Sequence, residues 1–252
     1  MHPKVRGFGL ANNGPFWGNY VNNVFLPYMR VVRDTYFTKL VPTFDDSSAE
    51  AEKVTEEVWE RLGKRASSDS DPSDLAEAAH DAGVDHFLML MSAKQTLANL
   101  HAVALHHLLE QQQVFLLHRE LLHPTDEDDT TLLTRSQFVI QLKEQGIDPT
   151  TYDSWESLDD LRLVANSVKH GDGPSVEDLK KRRPEFFTHP QFRDQPLISR
   201  TNPVLMLQFH RVYQPLAGDD LYVSDDDLAA FFYSAEAFWN EIVRDFYAAA
   251  GF

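Results

Sequence analysis

Between about Ser73 and Leu122 the chain carries its longest helical pattern, and this stretch most constrains the fold. At ~1.5 Å of rise per residue, such a helix sets the length of the molecule, and the shorter elements must pack along it. Within it Phe87 to Met91 is apolar on every side, which predicts a segment buried all round and so the central helix of a bundle. Gly83 marks a place where the pattern could break, and His123-Pro124 ends it. The expected fold class is all-α, a helical bundle.

The rest of the chain reads as further helices around that one, in a single helical domain over 1–252. Residues 1–19, rich in Gly, Asn and Pro, read as an irregular arm anchored by Phe8, Phe16 and Trp17. A helical bundle over 20–183 follows. From Tyr20 to Leu40 apolar residues recur at helical spacing, with a bend expected near Pro27. Ser47 with Glu50, Thr134 with Gln137, Ser157 with Asp160, and Ser175 with Asp178 are capping-box starts. Gly146 and Gly171 are stops. In 184–252 an irregular segment anchored by Phe186, Phe187 and Phe192 leads to a turn-like PLAGDD, which allows a small β-hairpin of Val204–Tyr213 with Leu221–Val223. Ser224 with Asp227 then caps an aromatic C-terminal helix.

Two polar faces stand out against this apolar framework. On the long helix His107, Glu110 and Gln111 share a face at spacings of three and four. On Ser157–Gly171, SLDDLRLVANSVKHG, the residues Leu161, Val164, Ala165 and Val168 make the core side, while Asp159, Arg162, Asn166, Lys169 and His170 fall on the other. Asn166 and His170 are poor helix formers for an exposed face, where Glu, Lys or Gln would serve better. The two faces are expected to meet in one polar network. A solvated surface, or a purely structural network, is the plain alternative for both.

NSVKHG resembles the motif helix of the HEPN superfamily, all-helical proteins common in bacterial toxin and phage-defence systems. Catalytic members carry an Arg, four to six residues and then a His, and cut RNA without a metal in a cleft between two subunits. In this chain Ala165 occupies the Arg position, Asn166 follows it, and the nearest arginine is Arg162. The resemblance covers roughly residues 80 to 175. It implies a homodimer and a metal-independent ribonuclease needing no cofactor, with His170, Arg162, Asn166 and Lys169 as catalytic residues and His107, Glu110 and Gln111 supporting them. His170 would move a proton at a ribose hydroxyl or leaving oxygen, and Arg162 or Lys169 would stabilise charge on the phosphate. A second implication is a scaffold or regulatory protein that binds a protein partner or small ligand in the same pocket.

The net charge of −16 argues against a surface that grips nucleic acid broadly. Any RNA contact must be local. From Arg162 to Arg193 there are seven Lys or Arg against four Asp or Glu, with Lys180, Lys181, Arg182 and Arg183 consecutive. That run is either a phosphate-binding patch or a solvated helix end with cations at the negative pole of the dipole. With no cysteine, disulfides and thiolate chemistry are excluded. No metal site is expected, because Glu77 with His80 and Glu120 with His123 fall near opposite ends of one helical stretch. Walker, dinucleotide and serine-hydrolase motifs are absent. No stretch suits a membrane span or a secretory signal, so a cytoplasmic location is expected.

Overall fold

The structure is a computed structural model that describes residues 10–123, 125–126, 128–190, 193 and 220–252. Among these residues it is all-α, without a strand.

Helix α1 (Leu10–Tyr20) and α2 (Leu26–Thr35) form one nearly continuous rod. The irregular arm expected over 1–19 is therefore helical from Leu10 onward, and residues 1–9 lie outside the described residues. The glycines that suggested irregularity are seams. A Cβ on Gly14 would lie 2.1 Å from the Phe246 carbonyl oxygen, and one on Gly18 would lie 2.8 Å from the Tyr247 ring. Spaced four apart on one helical face, they let α1 lie directly against the C-terminal helix α8 (Asp225–Ala249).

Pro27 produces a widened turn. Over Val21–Phe25 the backbone bonds five residues back, as Leu26 N–H donates to the Val21 carbonyl. A second wide turn, Tyr36–Leu40, stands just before Pro42. In both places the wider turn relieves the clash of the proline ring with the carbonyl four residues earlier.

Helix α3 (Ser47–Gly63) returns along α4 (Pro72–Leu116), and α4 runs without a break for about 68 Å. Gly83 is the contact point of that pair, since a Cβ there would lie 1.9 Å from Thr55 Oγ1 and 2.9 Å from the Ala51 carbonyl oxygen. The expectation for Phe87–Met91 is overturned. Met89 is 65% exposed and its neighbours are half-buried, because this half of α4 packs chiefly on α3 alone. The second half of α4 is the central one: Ala98, Ala102, Leu105, Leu109 and Leu116 are buried at intervals of three, four and seven. A third wide turn, Leu117–Leu121, extends it.

Helices α5 (Arg135–Glu144), α6 (Trp155–His170) and α7 (Pro174–Arg182) follow. Thr134 caps α5 by accepting from Gln137 N–H, and Gly146 and Gly171 sit at φ 82° and 70° as stops. Three expected caps are replaced. Asp46 precedes α3 without a side-chain cap, and Ser47 donates instead to the Phe44 carbonyl. Helix α6 starts two residues before Ser157, and Asp160 is drawn to Arg183. Helix α7 begins at Pro174, one residue ahead of Ser175.

Helix α8 closes the bundle against α1, α2, α4 and α6. Its Ser224–Asp227 capping box forms as expected, and Phe231, Phe232, Phe238, Trp239, Ile242 and Phe246 are all buried. Each such side chain contributes about 1.5–3 kcal/mol when removed from water. Gln112 joins three elements here: its Oε1 accepts from Trp239 Nε1 at 2.8 Å, and its Nε2 donates to the Phe25 carbonyl at 3.3 Å.

Of the suggested hairpin, Val204–Tyr213 lies outside the described residues, as do the anchor Phe192 and the PLAGDD turn apart from its final Asp220. Leu221–Val223 is extended and finds partners other than a strand. The Asn99 side chain accepts from Val223 N–H at 3.0 Å and donates to the Leu221 carbonyl at 2.9 Å, while Tyr222 N–H donates to the Phe186 carbonyl.

Candidate functional site

The α4 face and α6 are linked through the start of α5. His106, one turn before Glu110, is 5% exposed, and its Nδ1 lies 3.4 Å from the Glu110 carboxylate. Burial first, then the charges of Arg135, Lys169 and Arg162, push its pKa down to about 4, so the ring is neutral at physiological pH. His107 Nε2 and Gln111 Nε2 are 3.0 Å apart. Arg135 stacks on the Trp155 ring at 4.5 Å and reaches Asp159 at 3.5 Å; burial outweighs the nearby carboxylates and lowers its pKa.

Asp159 is the hub of the cations. Arg162 donates to it at 2.8 Å and Arg182 at 2.7 Å, with Arg135 behind them. Burial alone would raise its carboxyl, yet these bonds and charges hold it at about 2. Asp160, almost wholly buried, takes Arg182 at 2.7 Å and Arg183 at 2.9 Å. The basic run on α7 is thus paired within the chain. Lys180 lies 3.8 Å from Glu177 and 5.5 Å from the Phe187 ring, Lys181 lies 3.6 Å from Asp178, and Arg183 also binds Glu185.

The four residues proposed as catalytic divide into two groups. Arg162 is engaged with Asp159, about 12 Å of helix rise from His170. Asn166 is half-buried, and Lys169 and His170 are exposed at the last turn of α6, where neither makes a hydrogen bond or ion pair with the described residues. Ala165 is fully buried. The supporting residues His107, Glu110 and Gln111 instead line an open groove of about 610 Å³ with Val114, Phe115, His118, Leu133, Thr134 and Arg135.

Sequence reasoning overlooked Arg135, Asp159 as a hub, and Trp155. Arg135 directly follows the Thr134 cap, and this was the available signal: a cation at the start of a helix opposes the dipole and needs a carboxylate nearby. Among the described residues no group of three or more His, Asp or Glu side chains is placed to hold a metal ion. The Glu120 carboxylate, one of the two Glu-x-x-His acids, accepts from Asn13 and Trp17. No helix of the described residues is long and apolar enough to cross a membrane.

Comparison of the chain with protein-family models, curated proteins and solved structures finds no match.

Proposed function

We propose that the protein is a HEPN-like helical scaffold, a regulatory or immunity-type component that binds a protein partner or small ligand in the groove between α4 and α5 and does not itself cut RNA. One observation carries this reading: Ala165, at the position where the catalytic Arg of the resemblance would stand, is a fully buried core residue, and the nearest arginine is consumed by Asp159. The paired state of Lys180, Lys181, Arg182 and Arg183 supports it further, since RNA would have to displace carboxylates already in place. A cytoplasmic setting accords with this reading.

A second reading, a metal-independent ribonuclease, draws on the exposure of Lys169 and His170 beside Asn166 on one face of α6. Incubation of mixed cellular RNA with purified protein and chelator, wild type beside His170→Ala, separates the two. The scaffold reading expects intact RNA from both proteins. Cleavage by wild type that is lost in the variant would overturn it in favour of the nuclease. Because His170 is exposed and makes no hydrogen bond or ion pair among the described residues, His170→Ala melts like wild type on either reading. Binding in the groove is checked by native mass spectrometry of protein purified from cells, where an adduct on wild type should disappear when Gln111→Trp fills the groove.

A further inference from the structure

Helix α3 and the first half of α4 form a two-helix arm that closes no core of its own. Of residues 45–92 only Ser47, Ala79 and Gly83 are buried, and Val54, Val58 and Leu62, which α3 turns toward α4, stay half-buried. A pair of helices leaves a groove on each side of its seam. One side is marked by the close approach of Gly83 to Thr55. Steps of three and four residues from those two positions place Trp59 on α3, and Ala76, His80 and Phe87 on α4, along the same side. Trp59 is 44% exposed there, and Val84 at the α4 edge is 42% exposed. Both edges of this groove are acidic. Glu52 and Glu56 stand on the α3 edge in line with Trp59, and Glu77 and Asp81 on the α4 edge in line with Val84. All four are exposed, and none is paired with a described residue, whereas Glu50 meets His86, Glu57 meets Lys53 and Glu60 meets Lys64. Residues 45–85 hold thirteen Asp or Glu against four Lys or Arg, so this short part of the chain carries more than half of the net charge of −16.

We propose that the Gly83 side of the α3–α4 seam is a docking groove for a basic amphipathic helix of a protein partner. A third helix laid there covers the Trp59, Ala76 and Phe87 floor that two helices leave partly in water. Lys or Arg on both flanks of its apolar stripe would meet Glu52 and Glu56 along one edge and Glu77 and Asp81 along the other. From Ala76 to Phe87 the floor runs about 17 Å, room for about three helical turns. The charge also selects against other occupants. A second copy would bring the same carboxylates against these, and nucleic acid or an anionic lipid surface is repelled. Among the described residues no acidic group is placed to hold a metal ion instead. The groove lies on the other half of α4 from the α4–α5 groove, and the inference holds whichever reading of that groove stands.

Fluorescence anisotropy of a labelled amphipathic helical peptide of about 18 Leu and Lys residues, titrated with the full chain at ~0.15 M salt, tests it. Wild type is expected to bind one peptide with a Kd of ~10 µM, and a peptide with Glu in place of Lys should not bind. Trp59→Ser, and separately the double reversal Glu56→Lys with Asp81→Lys, should each weaken binding at least ~10-fold. Glu57→Lys with Glu60→Lys makes the same change of net charge on acids already paired, and should leave the affinity within about threefold. Circular dichroism confirms that each variant is folded; the charge reversals, at exposed positions, carry the test should Trp59→Ser not be. Amide exchange with peptide bound should slow over 47–63 and 73–92 and stay unchanged over 98–116. No binding, an equal loss in both double reversals, or protection confined to other helices would each overturn the proposal. So would self-association abolished by Trp59→Ser, which assigns the groove to a second copy, or 73–92 amides already protected without peptide, which assign it to an occupant from the chain itself.

Discussion

The folded environments of His106 and Asp159 lower both pKa values, which favours the neutral form of His106 and the charged form of Asp159. His106 is held neutral by burial and surrounding cations. In the unfolded chain it takes up a proton near pH 6.5, but in the fold only near 4, so its contribution to stability is intact above pH 6.5 and is lost as pH falls toward 4. That loss amounts to at most ~3 kcal/mol. Urea unfolding at pH 7.5 and pH 4.5 should show it, and His106→Asn should flatten the difference. Asp159 is ionised well below the usual carboxylate range, so its stabilisation persists through that window and fails only as pH drops from about 4 to about 2. Asp159→Asn keeps the shape but leaves Arg135, Arg162 and Arg182 without their shared counter-charge. Thermal or urea unfolding should report a loss of about 2 kcal/mol. Neither role is visible in the local sequence, because the burial and the further charges, from residues 135, 169 and 182, come from other helices.

Helix boundaries were most legible where one local bond decides them. Ser224 with Asp227, Thr134, Gly146 and Gly171 all act as the pattern implies, since a cap or a positive φ depends on three or four neighbouring residues. Ser47 and Ser157 carry the same signature and fail as caps, because tertiary partners decide where the adjoining turns begin. Glycine was the residue type least readable by itself. Gly14 and Gly83 could have been breakers, yet both are points where two helices touch. At Gly83 an alanine would favour the helix by about 1 kcal/mol on propensity alone, but its Cβ would meet Thr55 and the Ala51 carbonyl. Gly83→Ala is therefore expected to lower stability by about 1–2 kcal/mol. Gly63→Ala, where nothing lies within 4 Å, should cost nothing. Chemical denaturation of the pair measures the contrast.

For the whole molecule, the two halves of α4 live in different surroundings. The first packs chiefly on α3, while the second is enclosed by α5, α6 and α8 and carries the Gln112–Trp239 link. Amide hydrogen exchange should accordingly be slower by orders of magnitude over 98–116 than over 73–92. Uniform protection along α4 would contradict the packing described. An all-α bundle around one long helix was legible from the sequence, because periodicity and composition are local sums over many residues that a single contact cannot reverse. Which half of that helix is central was not, since the most apolar segment, Phe87–Met91, lies on the exposed half. The sequence likewise supplied the cations, carboxylates and imidazoles of the α4–α6 region, but their pairing was settled by tertiary structure alone. Arg162 could have faced His170 or Asp159 from the same helix, and Arg182 reaches Asp159 from another, so charge pairing depends on distances that only the packed helices define.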